Sequence, residues 1–146
     1  MRSFMTTKLT THEALTYVMV TMSAADGRVT DTELQEISDL VEHLPVFSGF
    51  TSDSIPRLAE DCAKLLGSDD GLGLDRLVTM VKESLTPPLY ETAYALAVEV
   101  ASVDLVAEQE ELRFLELLRD SLEVDMLVAA AIERSARVRF RKLSES

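Results

Sequence analysis

The chain has 146 residues, 47% of them apolar, and its 26 acidic residues against 14 Lys and Arg give a formal net charge of −12. This fits one folded domain with a single core rather than a disordered segment. Such an acidic balance repels phosphate backbones and argues against general nucleic-acid binding.

The charge is uneven. From residue 134 onward, Arg134, Arg137, Arg139, Arg141 and Lys142 face only Glu145, a net of +4, so the remainder carries −16. Cations or a basic partner suit that remainder. The lone Cys62 precludes an intrachain disulfide and fits a reducing compartment. Met1 to Thr10 contain no apolar leader core, and the longest apolar run, Met126 to Ile132, is far too short to span a bilayer. A soluble, cytoplasmic protein is expected.

Seven helix patterns and no convincing strand follow in order. The first covers about Thr11 to Ala25, with Leu15, Val18, Met19 and Met22 on one face. Thr10 and Glu13 form a capping-box pair at its start, and Gly27 is the expected left-handed cap at its end. The second covers about Asp31 to Leu44, with a second capping box in Thr30 and Glu33 and a stripe of Ile37, Leu40, Val41 and Leu44. Pro45 stops it, and Val46 to Ser54 reads as a loop.

The third pattern, about Ile55 to Leu66, places Cys62 on its apolar face, so that thiol is expected in the core. Gly67 to Gly73 is a Gly-rich turn. It lacks the Lys-Ser/Thr ending of a phosphate loop, and its aspartates would repel phosphate, so it reads as a plain connection. The fourth helix shows Leu74, Leu77, Val78, Val81 and Leu85. Thr86-Pro87-Pro88 signals the start of the fifth, with Thr86 as its cap and a stripe of Leu89, Ala93, Leu96, Ala97 and Val100. The sixth, about Glu108 to Ser121, shows Leu112, Leu115, Leu118 and Leu122. The seventh begins near Glu123 and carries Val124, Leu127, Val128 and Ala131. The expected architecture is an all-α, single-domain bundle of about seven helices. Residues 1–9 are expected to be a flexible start, 10–140 the helical domain and 141–146 a disordered tail.

One stretch occurs twice. Ala24-Ala25-Asp26-Gly27-Arg28-Val29-Thr30-Asp31-Thr32-Glu33-Leu34 has a worn copy 78 positions later, from Ser102 to Leu112. Asp26 aligns with Asp104 and Glu33 with Glu111. Helices one and two, and five and six, then form two copies of one hairpin, related by a pseudo-two-fold. Asp26 lies four residues after Met22 and Asp104 four after Val100; Glu33 lies four before Ile37 and Glu111 four before Leu115. All four carboxylates therefore extend core-facing stripes. Buried carboxylates need protons, hydrogen-bond donors or a cation.

Local roles compete with a cation site. Glu33 closes a capping box, and an aspartate before Gly can bond its own turn. In the second copy Ala107 offers no capping oxygen and Leu105 replaces the Gly, yet Asp104 and Glu111 remain. The spacing from Asp26 to Glu33 also matches the last half of an EF-hand loop. Met22 and Ala24 would stand where oxygen ligands are required, which rules out an ordinary EF-hand. A calcium or magnesium site would need Asp26, Glu33, Asp104 and Glu111 from both hairpins.

These residues resemble the TerB-like, tellurite-resistance-associated family. The resemblance rests on an alanine-rich helix ending in Ala25-Asp26-Gly27, then Val29 and Glu33, repeated as Val103-Asp104-Leu105 through Glu111. It covers about residues 10 to 125, and the second copy departs by losing Gly. The resemblance implies an all-helical fold with pseudo-two-fold hairpins, bacterial stress and tellurite-resistance contexts, and a divalent-cation site made by the repeated acids.

Two roles compete. One is a cation-binding stress module. The other is a metal-independent interaction domain docking on a cytoplasmic or membrane-protein partner, with Arg134 to Lys142 as the contact. An enzyme is not expected. His12 and His43 are the whole histidine supply, both expected at the surface, and no catalytic motif accompanies them.

Overall fold

A computed structural model describes residues 9–24, 29–102 and 109–143. Within them are seven α-helices and no strand: α1 (Thr11–Ser23), α2 (Asp31–His43), α3 (Ile55–Leu66), α4 (Gly73–Ser84), α5 (Pro88–Ser102), α6 (Gln109–Ser121) and α7 (Met126–Arg139). The expected all-helical bundle is the fold found.

Both capping boxes form. Thr10 Oγ1 accepts from the Glu13 N–H at 3.1 Å, and Glu13 Oε1 accepts from the Thr10 N–H at 2.9 Å. The Thr30–Glu33 pair repeats this at 3.2 and 2.8 Å. Each box satisfies donors that a helix N-terminus leaves without an internal partner. Helix α5 begins at Pro88, one residue later than the sequence pattern placed it, with the Leu89 N–H donating to the Thr86 carbonyl at 2.9 Å.

Helix α1 is the centre of the bundle. Every residue from Ala14 to Ser23 is buried, so it has no solvated face, as a helix apolar nearly all round requires. It packs most extensively on α5, then on α3, α4 and α2. Helix α5 in turn carries α7 on another side and α6 beside it. The first helices of the two repeated hairpins, α1 and α5, thus form the spine of the domain.

The segment after α2 is more ordered than a plain loop. It holds two single 3-10 turns, Pro45–Phe47 and Ser52–Ser54. They fold Phe47 into the core, 1% exposed. Cys62 is also fully buried, as expected, beside Thr21 Oγ1 at 3.3 Å. Between α3 and α4, Asp70 accepts from Ser68 Oγ at 2.7 Å, from the Leu72 N–H at 3.0 Å and from the Arg76 guanidinium. A turn whose aspartate is spent on its own backbone and an arginine is a structural connection and not a phosphate cradle.

Candidate metal centre

Of the four carboxylates singled out by the repeat, Asp26 and Asp104 lie outside the described residues, as does Gly27. Glu33 and Glu111 are described, and they differ sharply.

Glu33 sits in the first turn of α2, half-buried, with Oε1 held by the Thr30 N–H. Its local capping role is therefore real.

Glu111 sits in the first turn of α6 and is 7% exposed, the one buried ionisable carboxylate among the described residues. The next residue, Leu112, is 47% exposed. Turning a Leu outward forfeits part of the roughly 1.5–3 kcal/mol its burial would supply. Turning a carboxylate inward costs more unless it gains partners. The rotation of α6 is set by Phe114, Leu118 and Leu122, each at most 2% exposed. Glu111 lies on that same face at helical spacing, so it goes in with them. Leu112, expected in the apolar stripe, is a correction: it faces solvent, and Phe114 fills the core instead.

A third feature carries no sequence motif. Ser23, the last residue of α1, is 3% exposed, and its Oγ is buried without a hydrogen-bond partner among the described residues. A buried hydroxyl left unpaired costs about 1–3 kcal/mol. Thr16, on the same helix, shows the usual remedy by donating to the His12 carbonyl at 2.8 Å. Ser23 does not use it. Its only sequence signal is its position, four residues after Met19 on the core-facing stripe and three before Asp26.

The described residues thus place a buried carboxylate at the start of α6 and an orphaned hydroxyl at the end of α1. Only Glu33 and Glu111 of the four carboxylates lie among the described residues, and no group of three or more His, Cys, Asp or Glu among those residues could hold a metal ion. Helices α2 and α6 share no extensive interface; their partners α1 and α5 do.

The histidines take no part. His43 is exposed, with Nδ1 2.7 Å from the Asp39 carbonyl oxygen. His12, expected at the surface, is half-buried. Its Nε2 lies 2.9 Å from the Val46 carbonyl oxygen, and its ring packs 5.0 Å from Phe50 and 5.8 Å from Phe47. The 3-10 segment folds back over the start of α1, a long-range contact that no local pattern announces. Burial pushes the Cys62 thiol up to about 11, so it stays neutral and inert at physiological pH.

Residues 12–134 match the family model described as tellurite resistance protein TerB. The chain belongs to this family. The match spans α1 through most of α7, including both copies of the repeated stretch, so the TerB assignment rests on nearly the whole described bundle. No curated protein and no solved structure matches the chain. No helix among the described residues of this TerB-family chain is long and apolar enough to cross a membrane.

Proposed function

We propose that this TerB-family chain is a non-catalytic, cytoplasmic module of tellurite-resistance and stress contexts that binds a hard divalent cation, calcium or magnesium. Asp26, Glu33, Asp104 and Glu111 would supply the ligands. The observation that carries the reading is the inward Glu111 beside the outward Leu112. The Ser23 Oγ supports it, since a buried hydroxyl then stands at a hairpin end without a hydrogen-bond partner among the described residues. Carboxylate and hydroxyl oxygens are hard donors, which fits calcium or magnesium better than zinc. Bound between hairpins, the ion would fix α2 and α6 relative to the α1–α5 spine.

The test is a thermal melt of chelator-treated protein, repeated with calcium, magnesium, manganese and zinc. A cation that binds only the folded state raises the melting temperature with concentration. The expected result is a rise with calcium or magnesium that Asp26→Ala with Asp104→Ala abolishes. No rise with any cation at millimolar concentration would return the acids to capping and turn roles.

A further inference from the structure

We infer that the outward face of α7 is a docking surface for an acidic amphipathic helix of another protein. Among the described residues, helix α7 is held by its inner face. Ala129 and Ala136 are buried, Glu133 accepts from the Tyr94 hydroxyl at 2.5 Å, and Arg139 clamps Glu99 at 2.7 and 3.1 Å. Those contacts fix the helix on α5, so its opposite face is presented already ordered and little conformational entropy is lost on docking.

That face is unusual for an acidic chain. Leu127 is 81% exposed and Val138 49%, and Ala131 and Arg134 are exposed between them. The four stand at i, i+4, i+7 and i+11, a single straight stripe of the kind one helix offers another. Met126, 80% exposed, and Arg137 flank it. Large apolar side chains so exposed on one rigid face mark an interaction site rather than scattered surface residues.

The charges decide what covers it. A bilayer fits poorly. An interfacial helix keeps its cations off the apolar face, whereas Arg134 interrupts the apolar line between Ala131 and Val138. The remaining −16 of the chain also opposes an anionic membrane. A second α7 fits poorly too, because pairing the stripe with itself about its middle sets Arg134 opposite Ala131 and within a turn of the other copy's Arg134, placing like charges over the apolar seam. A helix with apolar residues along one stripe and Glu or Asp beside them satisfies both features. Its apolar side chains cover Leu127 and Val138, and its carboxylates take the guanidinium groups of Arg134 and Arg137 as charge-assisted pairs.

The test uses the full chain and a labelled synthetic helical peptide about four turns long, with Leu along one stripe and Glu at the flanks. A Lys-for-Glu version is the control, and binding is read by fluorescence anisotropy. The Glu peptide is expected to bind, more weakly at high salt. Arg134→Glu with Arg137→Glu should reduce that affinity about tenfold or more and create binding to the Lys peptide. Leu127→Ser should weaken the Glu peptide without changing the melting temperature. Equal binding of both peptides, binding indifferent to the charge reversal, or no binding of the Glu peptide would overturn the inference. So would stronger association with phosphatidylglycerol vesicles, or a Leu127-dependent dimer in sedimentation of the protein alone.

Discussion

Gly73 opens α4 hard against the last turn of α3: a Cβ placed on it would lie 2.9 Å from the Cα of Leu66 and closer still to the Leu65 carbonyl oxygen. Backbone atoms cannot swing aside as a flexible side chain can. Gly73→Ala should therefore push the two helices apart and cost about 1–3 kcal/mol. The readout is a lower urea midpoint at unchanged slope. Gly71, two residues earlier, has φ +74° but open space around its would-be Cβ. Gly71→Ala carries only backbone strain, about 1–2 kcal/mol. If Gly73→Ala proves the milder of the two, the close approach of α3 and α4 is not what requires Gly73.

Two side-chain contacts tie α7 to α5, and they should differ in strength. The Tyr94 hydroxyl, on a residue 1% exposed, donates to the half-buried Glu133 carboxylate. Burial and the adjacent carboxylate both push that phenol well above its ordinary range. Tyr94→Phe leaves Glu133 without this donor, and a loss of about 1.5–3 kcal/mol is expected. The Arg139–Glu99 pair is bidentate but solvated, with Arg139 half-exposed. Arg139→Ala should cost less than about 1 kcal/mol, and less again at high salt. Melts of both variants at low and high salt check the ordering; a larger loss for Arg139→Ala would contradict it.

Short-range chemistry was the legible part of this molecule. Both capping boxes formed because their partners are three residues apart and need nothing distant. Long-range packing was not legible. Helix α1 read as one-sided because Thr16 and Thr21 look like outward residues, yet four neighbouring helices surround it and bury both. On α6, Leu112 and Phe114 offer two overlapping faces, and only the position of α5 and α4 decides between them. At the candidate site the spacing from Glu111 to Leu115 did indicate an inward carboxylate. Ser23 was missed because a serine in a helix carries no signal that its hydroxyl will lack a partner. His12 was missed because the segment covering it lies more than thirty residues away in sequence.

Cys62 should make stability fall in alkali. Burial holds the folded thiol at about 11 against an ordinary 9.0. Above pH 9 the unfolded chain ionises while the folded one does not, so the unfolded state binds fewer protons and gains relative stability. The loss begins near pH 9 and is complete near pH 11. With each pH unit worth about 1.4 kcal/mol, it is on the order of 2–3 kcal/mol. Tyr17, pushed up to about 12 chiefly by burial, adds to the same trend above pH 10. Cys62→Ala should be less stable at neutral pH, because it leaves a cavity, but should show a shallower fall between pH 9 and 11. Urea titrations across that range give the slope directly. Parallel curves for the two proteins would show that the thiol does not contribute.

Glu123 ends α6 in a conformation that suits a different residue. Its φ is +55°, and it occupies the left-handed position of a helix-terminating motif. Its N–H donates to the Asp120 carbonyl at 3.2 Å, and the Val124 N–H donates to the Arg119 carbonyl at 3.0 Å. The sequence pattern ran α7 back to Glu123 because nothing marks a glutamate as left-handed. In the structure Asp125 caps α7 instead, accepting from the Leu127 and Val128 N–H groups at 3.0 and 3.3 Å. Glycine adopts this backbone without strain, though it also gains freedom in the unfolded chain. Glu123→Gly should therefore stabilise by roughly 0.5–1 kcal/mol, since the glutamate side chain is exposed and its loss offsets little of the gain. Glu123→Val, β-branched at the same φ, should destabilise by about 1 kcal/mol or more. Urea midpoints that place the glycine variant below the wild type would mean that the glutamate side chain stabilises this corner more than its backbone strains it.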